Sequence, residues 1–451
     1  MIEAVHGDGG EDITMLTNAS LSGGTTDYPC SQLPVKKRAL YGWWALKPWL
    51  FVPGVVVLGL LVGNLSPANA QKNFRDATSD QFEKICTTPS AFLGSTSTLF
   101  KLCQQVGPQS PARQGRGSQT QPNLELISQQ QLKKIRTAEE LKEKKVGASP
   151  DIVSADVSGG FSTFVVAGGA TVRHHQNAFE QGYDATIPSV TAGGDYRISD
   201  KLVAGLAFNY FNLNGDFDSL SGFSAGGFNI NSYGPLLYLN YIPFAGAFAD
   251  VTLGYARQNN SRSRLAIAIN GATLFGTTTL IPADFTSHLL GASIQTGYDY
   301  TIRANDSFTI GPRIGLNVQH WLVDDYQESG NTGLELRYKD LDQTSVQTTL
   351  GFQATYAFGT SIGTVLPYFV ATWVHEFANG QRTIQATVVQ DSTQNPFFFK
   401  TEKPARDWAV LDVGVSVLMS PKLLAFVTAS TVQGNTNFES YGGNVGLRVN
   451  W

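Results

Sequence analysis

The feature that most constrains this chain is a two-residue alternation of apolar and polar side chains. In the last eleven residues, YGGNVGLRVNW, one face carries Tyr441, Val445, Leu447, Val449 and Trp451, and the other face carries glycine, asparagine and arginine. Successive side chains of a β-strand point to opposite faces, whereas helical neighbours recur every three or four residues. The alternation therefore predicts a strand with one apolar and one polar face.

The same kind of segment recurs from residue 161 onward, and no stretch there has the pattern of a long amphipathic helix. Twelve strands are predicted, near 161–173, 187–198, 201–212, 227–242, 246–259, 284–302, 306–322, 343–358, 363–377, 406–419, 422–433 and 440–451. A soluble β-sandwich would bury the apolar face of each strand. A membrane barrel turns that face to lipid and the polar face to a wet lumen. The alternation by itself fits both architectures.

The lengths of the connections separate these two architectures. Short links at 199–200, 243–246, 304–306, 359–363 and 420–421 alternate with long ones at roughly 174–186, 213–226, 260–283, 323–342 and 378–405. Such alternation is typical of an up-and-down outer-membrane barrel with tight periplasmic turns and long external loops. We therefore predict an all-β protein, a twelve-stranded antiparallel transmembrane barrel. The even strand number puts both barrel ends on the periplasmic side.

The composition agrees with a lipid-facing sheet. Charged residues make up only 15% of the chain, against about 25% in ordinary soluble domains. A net charge of -4 and the lack of a basic patch with interleaved aromatics argue against a nucleic-acid partner. Aromatic residues near strand ends are predicted to form interfacial girdles. They are Tyr196, Tyr210, Tyr241, Phe244, Tyr300, Trp321, Phe358, Tyr368, Trp373, Trp408 and Trp451.

Residues 1–70 have the anatomy of an extended N-terminus with an export signal. A cationic start at 36–38 precedes an uncharged apolar run over 49–63, and Ala68 and Ala70 then form a small-x-small site with cleavage before Gln71. The competing interpretation is a membrane anchor. The run is shorter than the roughly 20 apolar residues that a spanning helix needs, so we favour the signal peptide.

Cleavage would leave Cys86 and Cys103 in an oxidising compartment, where a disulfide between them is the favoured prediction over two buried thiols. These cysteines lie in segment 71–122, which is polar and too small to build a core of its own. Segment 123–150 follows with strong helix formers and a basic face at Lys133, Lys134 and Arg136. This linker helix could stand in water, pair with a partner, or sit within a polar pore.

From about residue 155 to 451, the chain resembles the C-terminal translocator barrel of the autotransporters, the type V secretion proteins. The resemblance is carried by TAGGDYRISDKLVAGLAFNY, DDYQESGNTGLELRY, LPYFVATWVHEF, RDWAVLDVGVSVLM and YGGNVGLRVNW, in that order and spacing. It implies a Gram-negative outer-membrane barrel with a helix through its pore. It departs from the family pattern in its segment before the barrel, which is short and lacks the solenoid repeat of large passengers.

The resemblance also implies partners. These are the outer-membrane lipid bilayer, the barrel-assembly machinery and periplasmic chaperones, and the barrel is expected to be monomeric. The terminal strand should close the barrel against the first strand near Phe161. Its final aromatic and alternating apolar residues, Tyr441, Val449 and Trp451, resemble the signal that outer-membrane barrels present to the assembly machinery.

Catalytic and metal-binding motifs are weak. GFSAG at 222–226 matches G-x-S-x-G around Ser224, but it lies between two predicted strands and not at a strand-to-helix turn. His375 and Glu376 begin a zinc-protease motif that Asn379 does not complete. The neighbours His174 and His175 point to opposite faces of a strand and would chelate one metal poorly. We therefore expect no enzyme, no cofactor and no metal site.

Three functions remain open. The favoured one is an autotransporter-type translocator barrel that anchors or exposes the short N-terminal segment. The alternative is an outer-membrane pore or structural barrel whose N-terminal segment stays periplasmic. The least favoured is a surface esterase that uses Ser224.

Overall fold

The computed structural model describes residues 72–106, 160–220, 222–267, 278–302, 307–420 and 422–451. The predicted cleavage site at Ala68, Ala70 and Gln71 lies outside these residues. So does the predicted linker helix at 123–150 with Lys133, Lys134 and Arg136. Three helices precede the strands: α1 (Phe74–Thr87), α2 (Pro89–Phe92) and α3 (Thr98–Val106). Among the described residues, no helix is long and apolar enough to cross a membrane.

Nineteen strands follow in the described residues. They are β1 (Phe161–His174), β2 (Tyr183–Thr186), β3 (Ser189–Ser199), β4 (Leu202–Phe217), β5 (Gly226–Tyr241), β6 (Ala247–Ile267), β7 (Thr278–Tyr298), β8 (Tyr300–Thr301), β9 (Phe308–Val323), β10 (Tyr326–Gln327), β11 (Leu336–Tyr338), β12 (Leu341–Tyr356), β13 (Phe358–Thr360), β14 (Gly363–Glu376), β15 (Thr383–Val388), β16 (Phe397–Lys400), β17 (Asp407–Ser420), β18 (Leu423–Gln433) and β19 (Phe438–Asn450).

Twelve of these strands form a closed antiparallel barrel, which confirms the predicted architecture. They are β1, β3, β4, β5, β6, β7, β9, β12, β14, β17, β18 and β19. Each strand pairs with the next along the chain, and β19 returns to pair with β1 from Ser162↔Asn450 to His174↔Phe438. Because the ring is closed, no strand edge is left without a partner. The short strand β2 continues β3 against β1 and β4.

The two ends of the barrel differ. At one, the short-turn end, neighbouring strands are joined by tight turns such as 242–246, where Gly246 has φ +83°, a conformation that favours glycine. At the other, the long-loop end, strands are joined by segments such as 324–340 and 377–406. β1 begins and β19 ends at the short-turn end. The alternation of short and long connections read from the sequence is therefore that of the structure.

The long loops are more ordered than the sequence predicts. Four strands that belong to the two longest connections pair as a separate sheet in the order β10-β11-β15-β16. The segments TIQATV and FFFK that make up β15 and β16 are rich in β-branched and aromatic residues, which favour strands. Their partners are non-local, because β11 of one loop pairs with β15 of the next.

The helices α1–α3 share a hydrophobic core with this four-stranded sheet. Phe74, Phe82 and Leu99 are almost fully buried together with Leu336 and Phe399 from the sheet. Ala266 of β6 and Ile281 of β7, beyond the level of the membrane-facing wall, complete the same core. We call the helices and the sheet together the cap. Segment 71–122 therefore needs no core of its own, because its helices use the apolar face of the loop sheet.

A disulfide joins Cys86 of α1 to Cys103 of α3, as the sequence predicts. Both cysteines are buried in the cap core. Asn73 caps the N-terminus of α1 by accepting a hydrogen bond from the backbone N–H of Asp76 at 2.9 Å. The Cys86–Cys103 disulfide links residues seventeen positions apart. A cross-link of this length stabilises a fold by about 3 kcal/mol, because it lowers the conformational entropy of the unfolded chain.

Candidate functional site

The outer wall of the barrel is apolar. Large side chains that alternate along the strands are exposed there, at positions such as Leu206, Leu237, Ile294, Leu350 and Val427, each between 48% and 56% exposed. In a soluble domain a contiguous apolar surface of this kind would be a liability. Its exposure is explained when the surface faces lipid, as in transmembrane barrels.

Aromatic residues mark both rims of this apolar belt. Tyr196, Tyr241 and Tyr300 are exposed at the short-turn end, and Trp373 is exposed near the long loops. The girdle prediction is wrong for Trp321, Tyr368 and Trp408, which are 4%, 7% and 6% exposed and point inward. Each of these three has inward neighbours at two-residue spacing. The strand period, and not aromatic identity, determines the direction of a side chain.

The terminal strand has the two faces that its sequence predicts. Tyr441, Val445 and Leu447 are exposed on the outer wall, and Val449 is half-buried there. Trp451 is 69% exposed; its backbone N–H donates to the Phe161 carbonyl at 3.0 Å and its Nε1–H donates to Thr163 Oγ1 at 3.2 Å. Trp451 thus fastens β19 to the start of β1. Its role in assembly stays a prediction.

The inner wall at the seam between β1 and β19 carries a buried ion pair. Arg448 of β19 and Asp195 of β3 are 1% and 2% exposed, and the guanidinium of Arg448 bonds the carboxylate of Asp195 across β1. Tyr238 of β5 donates its hydroxyl to Asp195 Oδ2 at 2.9 Å. The tyrosine ring lies over Gly205 of β4, where an added Cβ would come within 2.1 Å of the ring. The network therefore ties β19 to β3 and β5.

Further polar groups line the interior. Arg313 pairs with Asp299 at 3.0 Å, Ser430 donates to Asp412 at 2.6 Å, and Ser345 donates to Glu376 at 2.6 Å. Acidic side chains are well represented among these interior groups. The inward face therefore carries hydrogen-bonding groups at several levels, beside the buried apolar clusters around Trp321 and Phe426. A polypeptide that crosses the membrane inside this barrel would meet hydrogen-bonding groups and not lipid.

At the long-loop end, the helices are bound to the loops by main-chain contacts as well as by the shared core. The backbone N–H of Ser392 donates to the Phe92 carbonyl at 2.7 Å, and the N–H of Leu99 donates to Gln390 Oε1 at 2.8 Å. The rings of Phe74 and Phe399 meet edge to face at 4.9 Å. These contacts join residues about 300 positions apart in sequence, and no local sequence signal could have revealed them.

The cap is anchored to the barrel by a second buried ion pair. Arg264, near the end of β6, forms a two-pronged hydrogen bond with Glu328, and both side chains are at least 97% buried. Arg264 also donates to the Leu334 carbonyl at 2.7 Å, and Tyr338 donates to Glu328 at 3.1 Å. The guanidinium lies 5.8 Å from the ring of Phe74 in α1. One arginine therefore contacts the barrel wall, the loop sheet and the helices.

Ser224 lies in the connection between β4 and β5, so GFSAG is not at a strand-to-helix turn. The serine is exposed, and its Oγ accepts a hydrogen bond from the backbone N–H of Gly226 at 3.3 Å. His375 also faces outward, where its Nδ1 lies 2.8 Å from Asp407 Oδ1. The structure does not bring Ser224 and His375 together, because Ser224 follows β4 whereas His375 lies on β14, which pairs with β12 and β17.

Comparison with known proteins identifies the architecture. The family model described as the autotransporter β-domain matches residues 163–430, which is more than half of the chain. The fold is similar to the translocator domain of the autotransporter NalP from Neisseria meningitidis, with a TM-score of 0.51, 13% identity, and coverage of 72% of this chain and 98% of that one.

Two curated relatives are similar in sequence over part of their length. Esterase EstA from Pseudomonas aeruginosa is 24% identical over 262 residues, which are 58% of this chain and 38% of the relative. Lipase 1 from Photorhabdus luminescens is 22% identical over 272 residues, again 58% and 38% of the two chains. The chain thus matches well under half of the length of these relatives.

We predict that Arg448→Ala destabilises the barrel far more than Arg197→Ala, an arginine of β3 near the short-turn end. The variant removes the cationic partner of the buried Asp195 carboxylate. Loss of one member of a buried ion pair typically lowers the free energy of unfolding by about 3–5 kcal/mol. Arg197 is half-exposed, and its guanidinium donates to the Asp200 carbonyl at 3.5 Å. Urea unfolding of the refolded barrel in detergent, followed by tryptophan fluorescence, measures the difference. Equal losses of stability for the two variants would contradict the proposed weight of the seam pair.

Proposed function

Because the chain belongs to the autotransporter family through its β-domain, we propose that its barrel anchors the N-terminal segment in the outer membrane of a Gram-negative bacterium and exposes it at the cell surface. The observation that carries this proposal is the packing of α1–α3 against the sheet built from the long loops. The alternative, a pore with a periplasmic N-terminal segment, would leave these helices at the opposite end of the barrel.

The orientation in the membrane follows from the two unlike ends. Transmembrane barrels of bacteria have short periplasmic turns and longer external loops. The short-turn end, where β1 begins and β19 ends, is then periplasmic, and the cap is extracellular. Partners on the periplasmic side would be chaperones and the barrel-assembly machinery, and the closed ring is consistent with a monomeric barrel.

Chain connectivity supports a route through the lumen. α3 ends at Val106 in the cap, and β1 begins at Phe161 at the short-turn end. The intervening residues must connect the two ends of the barrel. The lumen offers them a polar path, whereas the outer wall offers only lipid. We propose that segment 123–150 passes through the lumen, where the basic face at Lys133, Lys134 and Arg136 would meet acidic groups of the inner wall.

Surface exposure is tested with an epitope tag inserted between Gly94 and Ser95, in the exposed link between α2 and α3. We expect antibody to label this tag on intact cells and external protease to remove it. A matched tag between Phe244 and Ala245, in a short turn, should be labelled only after the cells are permeabilised. Protection of the first tag in intact cells would overturn surface exposure, and labelling of the second alone would reverse the orientation.

Trp451 is proposed to belong to an assembly signal with Tyr441 and Val449. We expect Trp451→Asp to reduce the amount of barrel inserted in cells far more than Trp373→Asp, an exposed tryptophan of β14. Trp373 is a suitable control because, like Trp451, it is exposed. Trp321 is unsuitable, since it is buried and Trp321→Asp would place a carboxylate in the interior. Heat-modifiable gel mobility of membrane fractions measures insertion. Equal losses would mean that Trp451 is an ordinary interfacial aromatic.

The named activities of the relatives, esterase and lipase, raise a second possibility for this chain. We propose that Ser224 has no catalytic role, because it lies between two strands and its Oγ accepts a bond from its own turn. Ser224→Ala should therefore hydrolyse p-nitrophenyl butyrate at the same rate as the unmodified protein. A loss of hydrolysis in this variant, with barrel mobility on gels retained, would establish Ser224 as a nucleophile.

A further inference from the structure

Three side chains of the kinds that bind metal ions, His174, Glu180 and Glu402, lie close together at the long-loop end of the barrel. One ligating atom from each of His174, Glu180 and Glu402 lies within 4.8 Å of the other two. The Nε2 of His174 is 2.8 Å from Glu402 Oε1 and 3.8 Å from Glu180 Oε2. Among the residues that the structure describes, no other group of three meets this condition.

The chain holds these side chains in place from three separate segments. His174 is the last residue of β1, and its ring stacks on Tyr183 with centroids 4.7 Å apart and planes 4° apart. Glu180 lies in a turn that Asn177 builds, because Asn177 Oδ1 accepts the backbone N–H of Glu180 at 3.0 Å. Glu402 follows β16 in the connection to β17. The imidazole and the Glu180 turn are therefore fixed before any ligand binds.

Each carboxylate has one oxygen bound by an outer donor and a second directed at the imidazole. Glu180 Oε1 accepts the backbone N–H of Glu402 at 2.9 Å, which leaves Oε2 toward His174. The Asn177 amide donates to Glu402 Oε2, which leaves Oε1 toward His174. Outer donors that orient ligating carboxylates in this way are a regular feature of metal sites.

The three side chains are well shielded from solvent. Those of His174 and Glu180 are 4% and 1% exposed, and that of Glu402 is 12% exposed. Two carboxylates so close together repel each other. A divalent cation bound between them would reduce this repulsion.

We propose that His174, Glu180 and Glu402 bind one divalent transition-metal ion of the zinc type, with Asn177 as the outer residue that orients Glu402. One nitrogen and two carboxylate oxygens are ligands suited to zinc, and an imidazole argues against calcium or magnesium. Ligand atoms around a tetrahedral zinc ion lie about 3.3 Å apart. The Nε2–Glu402 pair would open by about 0.5 Å and the Nε2–Glu180 pair would close by a similar amount. The part-exposed side of Glu402 is where a water ligand would enter.

This site is not a motif that adjacent residues reveal. The pair His174–His175 does not chelate one ion, because His175 points outward and lies 3.6 Å from Glu439. His174, in contrast, is buried. Its proposed metal partners are six and 228 positions away. Binding would join the end of β1, the 175–182 turn and the connection after β16, and so fasten the loop that carries half of the cap sheet.

The test uses the full-length barrel refolded in detergent and freed of metal with a chelator. Equilibrium dialysis against Zn²⁺ alone, with metal measured by plasma mass spectrometry, should give one ion per barrel. His174→Ala and Glu402→Gln should each weaken binding by at least about ten-fold, and Asn177→Ala by about ten-fold. His375→Ala is the matched control, since His375 contacts one carboxylate on the outer wall and should leave binding unchanged.

A second readout needs no variant. In the unmodified protein, Co²⁺ in place of Zn²⁺ should give the visible absorption of a tetrahedral site, and added Zn²⁺ should remove that absorption. Variants are compared only where heat-modifiable mobility reports a folded barrel. The proposal is overturned if the unmodified barrel takes up no zinc, if Glu402→Gln binds it as tightly, or if bound Co²⁺ gives no tetrahedral absorption.

Discussion

The pairing of β1 with β19 is the constraint on which the rest of this structure depends. Inside a bilayer there is no water to bond an unpaired backbone N–H or C=O, so a sheet can span it only when the sheet has no edge. The ladder from Ser162↔Asn450 to His174↔Phe438 removes that edge. The Arg448–Asp195 pair and the Tyr238 hydroxyl reinforce the same seam from within. Once the ring is closed, every side chain is committed to lipid or to the lumen by its position in a two-residue repeat.

This commitment inverts the usual arrangement of a folded protein. Many large apolar side chains lie on the outside, and ion pairs and hydrogen bonds join polar groups in the interior. Two apolar clusters also lie inside the ring, one around Trp321 and one around Phe426. A third apolar core lies at the long-loop end, where water is present on the outside and the hydrophobic effect can act. There the disulfide-linked helices cover the apolar face of the loop sheet. The barrel is thus suited to lipid on its outside, whereas the cap is stabilised by the burial of apolar side chains away from water.

Much of the barrel could be predicted from sequence because its information is local. The apolar–polar alternation predicts the twelve strands, and the connection lengths predict which strand ends meet at the short-turn end and which at the long-loop end. The failures at the cap and at His174 have one cause, which is dependence on distant partners. The sequence predicts β15 and β16 as loop because their sheet is completed by β11, and the burial of α1 depends on Phe399. Aromatic identity placed Trp321 in a girdle, while its phase in the strand directs it inward. The environment of His174 likewise depends on Glu402, which no spacing rule connects to it.

The cap has a consequence for the direction of movement. On the proposed route, residues 72–106 pass through the lumen before they reach the loop sheet. At the mouth, Phe74, Phe82 and Leu99 pack against the apolar face of the loop sheet. Return through the pore would expose that core again and would separate Ser392 from Phe92. On the proposed route, folding of the cap outside the pore would hold the segment there without a nucleotide or an ion gradient.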